Sequence, residues 1–191
     1  MKYSEAEKFI NQLFSEKLSA DLHFHNLDHT KDVVNAAMRI AAGESIRDEY
    51  ELMRLKTAAL FHDAGYTVSY ADHENEGCFI ARKHLPDFNY SEEDIEEICN
   101  MIMATKMPQK PENILEKILC DADLDYLGRE DFDTISTKLF EEWLLRGKVS
   151  DTEQWNKLQT EFLKSHRYWT HSSRNLREAK KQEHLKRIQS S

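Results

Sequence analysis

Helix-breaking residues are scarce throughout this chain, and their scarcity limits the folds that the chain can adopt. Only 5 Gly and 3 Pro occur among 191 residues, while 32% of the residues are charged. Apolar residues recur at intervals of three and four along most of the sequence, and we find no alternating run of strand length. Long helices joined by short loops fit this pattern. The sequence therefore predicts an all-α protein.

Start and stop signals divide the chain into about eight or nine predicted helices. Ser4 with Glu7 forms a capping-box pattern that predicts the first helix start, and Gly147 predicts a helix end. The length suits one domain with a substantial core. We expect a single helical domain over residues 1–171, followed by a polar helix or tail over residues 172–191.

The acidic net charge of the chain limits the classes of ligand that it can bind. A formal net charge of −9 and a pI near 5.5 imply an acidic surface, which repels the phosphate backbone of nucleic acids. A small phosphate ester remains compatible with this surface, since a bound metal ion supplies local positive charge. We therefore expect a small-molecule partner, with no nucleic-acid polymer. The apolar content is also compatible with a homodimer.

No membrane or secretory signal is visible in the sequence. No stretch approaches 18 apolar residues, and the first ten residues contain no hydrophobic segment of the signal-peptide type. Cys78, Cys99 and Cys120 are odd in number and never closely spaced, which argues against a disulfide framework and a cysteine-type zinc site. We expect a cytoplasmic protein that does not associate with a membrane.

Four residues with metal-binding side chains are the main functional signal. His29 falls at the start of the second predicted helix, His62 and Asp63 at the end of the third, and Asp123 within a sixth helix predicted over residues 114–127. Imidazole nitrogen together with carboxylate oxygen suits ions such as Mn²⁺, Fe²⁺, Co²⁺, Ni²⁺ and Zn²⁺. A metal site with positions left open for water and substrate is generally catalytic. The alternative is a buried His–Asp hydrogen bond that only helps packing.

Three segments carry a resemblance to a known family. HNLDHT at residues 25–30, FHDAGY at residues 61–66 and DADLDYLG at residues 121–128 occur in the order seen in the HD superfamily of metal-dependent phosphohydrolases, which the chain resembles over about residues 1–170. The resemblance implies an all-helical domain that holds one divalent metal ion, or two in some branches. It also implies hydrolysis of a phosphate ester, mostly of nucleotides.

The same resemblance suggests which residues bind the metal. It places the ligands at His29, the His62–Asp63 pair and Asp123. The acidic segment is one residue shorter than the commoner form, so Asp121 and Asp125 remain alternatives to Asp123. Two-metal branches carry further histidines between the pair and the last ligand, whereas residues 103–106 contain none. We therefore expect one divalent ion, with Mn, Fe, Co, Ni, Mg and Zn all open.

Other residues are candidates for catalysis and substrate binding. His25, His73 and Glu74 could transfer the proton of the attacking water or of the leaving group. Lys106 could steady a phosphate group as a point charge, or could be an ordinary solvated loop lysine.

Two tyrosines are the candidates for substrate contact. Tyr66 belongs to the FHDAGY segment, and Tyr168 could stack on a base. The alternative for Tyr168 is an aromatic seam that docks the last helix on the core. As a whole, the sequence favours a phosphohydrolase over the alternative, a regulatory module that binds metal and nucleotide without turnover.

Overall fold

The computed structural model describes residues 1–190 and is helical without strands over that part of the chain. Three short 3₁₀ turns connect the helices, at Ala64–Thr67, Leu85–Phe88 and Asp125–Gly128. The predicted all-α class is confirmed, and the described residues form nine α-helices: α1 (Tyr3–Lys17), α2 (Leu27–Gly43), α3 (Glu49–Phe61), α4 (His73–His84), α5 (Glu92–Ala104), α6 (Ile114–Asp123), α7 (Phe132–Leu145), α8 (Thr152–Ser165) and α9 (His171–Gln189).

The start of α1 differs from the expectation. The predicted capping box of Ser4 and Glu7 is wrong, because α1 begins at Tyr3 and no side chain caps it. The backbone N–H of Lys2 donates to Phe88 O at 2.9 Å, which anchors the chain ahead of Ser4 and lets the helix start two residues earlier than a Ser4 cap would. A cap is therefore replaced here by a tertiary backbone contact.

The core has two parts that meet at the end of α6. The larger part lies among α1 to α6 and is built mostly from alanine, leucine and isoleucine side chains. The smaller part lies beneath α7 to α9, around Leu127, Phe132 and Leu163. Burial of this apolar surface is the main source of stability in a chain of this size.

The sixth helix ends earlier than the sequence predicts. We expected one helix over residues 114–127, but α6 stops at Asp123 and a 3₁₀ turn follows. Arg177 of α9 donates two hydrogen bonds to the Asp125 carboxylate, at 2.9 and 3.0 Å. A β-carbon at Gly128 would overlap the backbone of Arg177, so the turn packs directly on α9. These contacts with α9 favour a turn where local sequence alone favours helix.

The C-terminal segment is a helix packed on the rest of the protein. The division predicted between residues 171 and 172 falls one residue into α9. The inner face of this helix is buried and joins the smaller part of the core. Its buried side chains include Lys181, His184 and Leu185. Among the described residues, no helix has the length and apolar character needed to span a membrane.

Candidate metal centre

Three helix ends bring the four predicted ligands together. His29 lies in the first turn of α2, where the Asn26 side chain accepts its backbone N–H at 3.2 Å. His62 and Asp63 directly follow α3, and Asp123 is the last residue of α6. His29 Nε2 lies 3.2 Å from Asp123 Oδ1 and 3.5 Å from Asp63 Oδ2.

The orientation of His62 leaves a lone pair facing the carboxylates. Its Nδ1 donates to the Ala59 carbonyl oxygen at 2.8 Å, since a carbonyl oxygen can only accept. In the neutral tautomer Nε2 is therefore unprotonated, and it lies 3.3 Å from Asp63 Oδ2 and 3.6 Å from Asp123 Oδ1. Such a tautomer is fixed by the hydrogen bond at the other ring nitrogen, which is the usual arrangement of a metal-ligating histidine.

The donor atoms fit a divalent cation. One ligand atom each from His29, His62 and Asp123 lies within 4.8 Å of the others. His62 Nε2 and Asp63 Oδ2 are buried and have no hydrogen-bond partner. Buried acceptors that face one another are costly unless a cation or a proton lies between them. Without an ion a proton takes this place. Although burial acts to lower the pKa of His62, the Asp63 and Asp123 carboxylates outweigh it and hold that pKa well above the usual value.

The two alternatives to Asp123 are engaged elsewhere. Asp121 is fully buried on another face of α6, where its carboxylate accepts the backbone N–H groups of Trp169 and Thr170, both at 2.8 Å. Asp125 pairs with Arg39 at 2.6 Å and with Arg177. Among the three carboxylates, Asp123 is the one that the structure brings to His29 and His62.

His25 is held beside the centre by a buried carboxylate that the sequence did not single out. Glu142 of α7 is fully buried, and its Oε1 lies 2.5 Å from His25 Nδ1. Tyr70 donates to the same oxygen at 2.8 Å, and Oε2 accepts the backbone N–H of His25 at 3.2 Å. Burial acts to raise the pKa of Glu142, but the hydrogen bonds from His25 and Tyr70 lower it below its usual value. No local motif marks Glu142, which sits in an ordinary helical pattern.

Tyr66 and His73 form a stack with His25 next to the centre. The Tyr66 ring lies 4.2 Å from the His25 ring and 4.0 Å from the His73 ring, measured between centroids. His73 Nε2 lies 3.4 Å from Glu74 Oε1 and 3.9 Å from Asp63 Oδ1. Burial raises the pKa of Tyr66 and the nearby Asp63 carboxylate adds to it, so its hydroxyl stays protonated.

A cleft of about 950 Å³ opens from the centre. His25, Tyr66, His73, Glu74 and Lys106 all border it, together with Asp63 and Asp123. The Lys106 ammonium lies 2.8 Å from Asp72 Oδ1, so its charge is partly neutralised.

Tyr168 does not reach the cleft. The residue is 3% exposed and lies between the His166 ring, 4.7 Å away, and the Lys181 ammonium, 5.1 Å from the Tyr168 centroid. Stacking of Tyr168 on a base would need an accessible ring face. The structure therefore agrees with the alternative interpretation, an aromatic seam beneath the last helix.

Comparisons with known proteins identify the family. The family model for the HD domain matches residues 26–125, just over half of the chain. Among solved structures, the crystal structure of a predicted HD superfamily hydrolase from an uncultured Thermotogales bacterium aligns with a TM-score of 0.65 at 21% identity. The alignment covers 98% of this chain and 89% of that chain, and shows a shared fold. No curated protein matches.

Proposed function

The chain belongs to the HD domain family, and on that premise we propose that it is a metal-dependent phosphohydrolase that cleaves a phosphate ester of a nucleotide or another small molecule. The observation that carries the proposal is the convergence of His29, His62 and Asp123 at the edge of a large cleft, with His62 Nε2 and Asp63 Oδ2 lacking any hydrogen-bond partner. A site of this kind suits catalysis better than structural metal binding, because it is open on one side.

His29, His62, Asp63 and Asp123 would hold one divalent ion of the group Mn, Fe, Co, Ni, Mg or Zn. When bound, such an ion lowers the pKa of water and neutralises phosphate oxygens. The contact between His62 Nδ1 and Ala59 O fixes the ring so that Nε2 points toward the Asp63 and Asp123 carboxylates and would be free to bind the ion.

His25 is the residue placed best to move a proton. Because Nδ1 is turned toward Glu142, its Nε2 is the atom left to accept a proton from the attacking water or to donate one to the leaving oxygen. Glu142 holds the tautomer and stabilises the protonated ring, as a carboxylate behind a catalytic imidazole does. Glu142 is thus a positioning residue, and His25 is the catalytic residue.

Four further residues support binding of substrate and water in this proposal. The Tyr66 hydroxyl remains a hydrogen-bond donor at the cleft, beside the centre. His73 lies with Glu74 on the adjoining wall, where the pair could orient water. Lys106 offers a positive charge weakened by Asp72, which suits a phosphate oxygen at the cleft edge.

The test combines metal content with turnover. We expect about one equivalent of a transition metal in the wild-type protein and release of inorganic phosphate from members of a panel of nucleotide, sugar, alkyl and aryl phosphates. The His62→Ala variant should lose both the metal and the activity, while His171→Ala, a change at the exposed start of α9, should keep both. Metal retention with no turnover of any ester would contradict the hydrolase and indicate the regulatory binding module instead.

The remaining expectations about partners stay predictions. They comprise a small-molecule ester as the ligand, no nucleic-acid polymer, no membrane association, a homodimer and a cytoplasmic location. The acidic net charge of −9 supports the exclusion of nucleic acid, because non-specific binding to a polyanion depends on positive charge.

A further inference from the structure

We propose that the alcohol part of the substrate is a large apolar group, an alkyl or aryl moiety, which occupies the cleft beside the metal centre. This inference rests on the function proposed above and adds to it the class of ester. It concerns how the cleft recognises the part of the substrate that lies beyond the phosphate.

The cleft is continuous with the centre and far larger than a phosphate group requires. Asp63 and Asp123 border the same cavity of about 950 Å³, which is near the upper end for small-ligand sites. A ligand bound at the centre therefore extends into this space.

The walls away from the centre are apolar. They are contributed mainly by α7 and α8 through five side chains, Leu139, Trp143, Trp155, Leu158 and Phe162. The Trp143 and Trp155 rings meet edge to face with their centroids 5.5 Å apart, so they present a fixed aromatic surface. Binding of an apolar group against these walls is favourable because it removes apolar surface from water, whatever the detailed shape of that group.

Four polar side chains of the cleft already donate a hydrogen bond within the protein, whereas the Tyr66 hydroxyl beside the centre donates none to any residue that the structure describes. The contacts in question are Tyr70 to the Glu142 carboxylate, Thr105 to Ile102 O, Ser165 to Phe162 O and Gln159 to Ser136. A site that selects a sugar or a base edge presents unpaired polar groups that the ligand completes. Here these four donors are satisfied without a ligand and the Tyr66 hydroxyl lies beside the centre, so the rest of the cleft has little with which to select a hydroxyl-rich group.

Lys148 is the other cation of the cleft, and it lies over aromatic rings. Its ammonium is 4.4 Å from the Tyr70 centroid and 5.7 Å from that of Trp143, and no carboxylate in the part of the chain that is described pairs with it. The ammonium itself lies against these aromatic rings, and the side chain is exposed at the edge of the cleft. This arrangement closes an apolar site without adding a specific polar contact inside it.

The experiment measures binding of unhydrolysable probes, which does not depend on turnover. Calorimetric titration of the metal-supplemented full chain with ethyl-, butyl-, hexyl- and octylphosphonate should show Kd falling about three- to four-fold per methylene that becomes buried. The heat capacity of binding should become more negative along the series, as apolar burial requires. Octylphosphonate should bind more tightly than AMP or ribose 5-phosphate.

Two leucine variants locate the effect. Leu158→Asn, in the cleft wall, should flatten the dependence on chain length and leave ethylphosphonate affinity unchanged. Leu176→Asn, at an exposed leucine of α9 that is outside the cleft, should retain the full dependence. The wild-type series alone decides the question even where a variant folds poorly.

The outcomes separate the two proposals. A Kd that does not change with chain length, or tighter binding of AMP than of octylphosphonate, would overturn the apolar specificity. Chain-length dependence without release of phosphate from any alkyl, aryl or nucleotide ester would support the cleft assignment and contradict the hydrolase.

Discussion

Asp121, Asp123 and Asp125 stand two positions apart, and each has a different role. Successive helical residues are rotated by about 100°, so Asp121 and Asp123 lie on nearly opposite sides of α6. Asp121 faces the backbone before α9, whereas Asp123 faces His29 and His62. The role of each carboxylate follows from the direction in which the helix points it.

Replacing these two carboxylates should therefore give opposite results. Asp121→Asn should lower the free energy of unfolding by about 1–3 kcal/mol, because the amide keeps one acceptor oxygen and its NH₂ group would face the other buried backbone N–H, while metal content is unchanged. Asp123→Asn should lower metal affinity at least about ten-fold with little change in the stability of the metal-free protein. Urea unfolding and metal analysis of both variants check this. Loss of metal from Asp121→Asn alone would contradict the assignment.

Glu142 allows a test of the proton-transfer role. Glu142→Gln should lower kcat by roughly 10- to 100-fold, because the amide neither stabilises a charged His25 ring nor fixes its tautomer as firmly. We expect KM and metal content to remain near wild-type values. The matched control is Glu141→Gln, an exposed neighbour on α7, which should leave kcat unchanged. Equal effects of the two changes would remove Glu142 from the mechanism.

At the scale of the elements, α9 is fixed to the protein by polar contacts made in the interior. Lys181 is fully buried and donates to His166 O at 2.9 Å, with His166 Nδ1 3.3 Å from the same ammonium. The Asp121 carboxylate accepts a hydrogen bond from the backbone N–H of Thr170, just before α9, and the Asp125 carboxylate accepts one from Arg177. A helix with a polar sequence thus docks through satisfied hydrogen bonds as well as through apolar burial.

His166 makes the docking of α9 depend on pH. Burial and the Lys181 charge lower the pKa of His166 to about 3, against about 6.5 in the unfolded chain. The stabilisation is therefore present above pH 6.5 and is lost as pH falls toward 3, by about 1 kcal/mol per pH unit from this group. We expect the His166→Asn variant to lose stability less steeply than wild type between pH 7 and pH 5.

Urea denaturation at pH 7, 6 and 5 measures this slope. His171→Asn, at the exposed end of α9, should keep the wild-type dependence because that ring is not buried. Parallel curves for wild type and His166→Asn would show that His166 does not carry the pH dependence.

At the scale of the whole molecule, the metal centre joins α2, α3 and α6. Asp63 and Asp123 are held near each other at the meeting point of these helices, so a cation should stabilise the folded state. Free metal at 100 times its Kd should add about 2.7 kcal/mol of stability, or roughly 5–10 °C in Tm for a chain of this length.

Thermal unfolding with and without chelator checks this prediction. Chelation should lower the Tm of wild type and of His171→Ala by the same amount. His62→Ala should show no shift, since it lacks the ligand that lies between the two carboxylates. A chelator effect of wild-type size in His62→Ala would place the stabilising metal elsewhere in the protein.

The sequence by itself determined the helical class and predicted His29 and the His62–Asp63 pair as ligands, with Asp121, Asp123 and Asp125 all open for the last position. Scarce glycine and proline leave helices as the available structure, and His29 and the His62–Asp63 pair are chemically distinctive because they fall at predicted helix ends. Such information is local, because helix periodicity and donor type are readable from neighbouring residues.

Only the tertiary structure decided which aspartate faces His29, that Glu142 holds His25, and that Tyr168 is buried. Each of these depends on contacts between residues far apart in the chain, such as the 117 positions that separate His25 from Glu142. Helix packing sets those contacts, and a local sequence pattern does not identify which helix will pack against it.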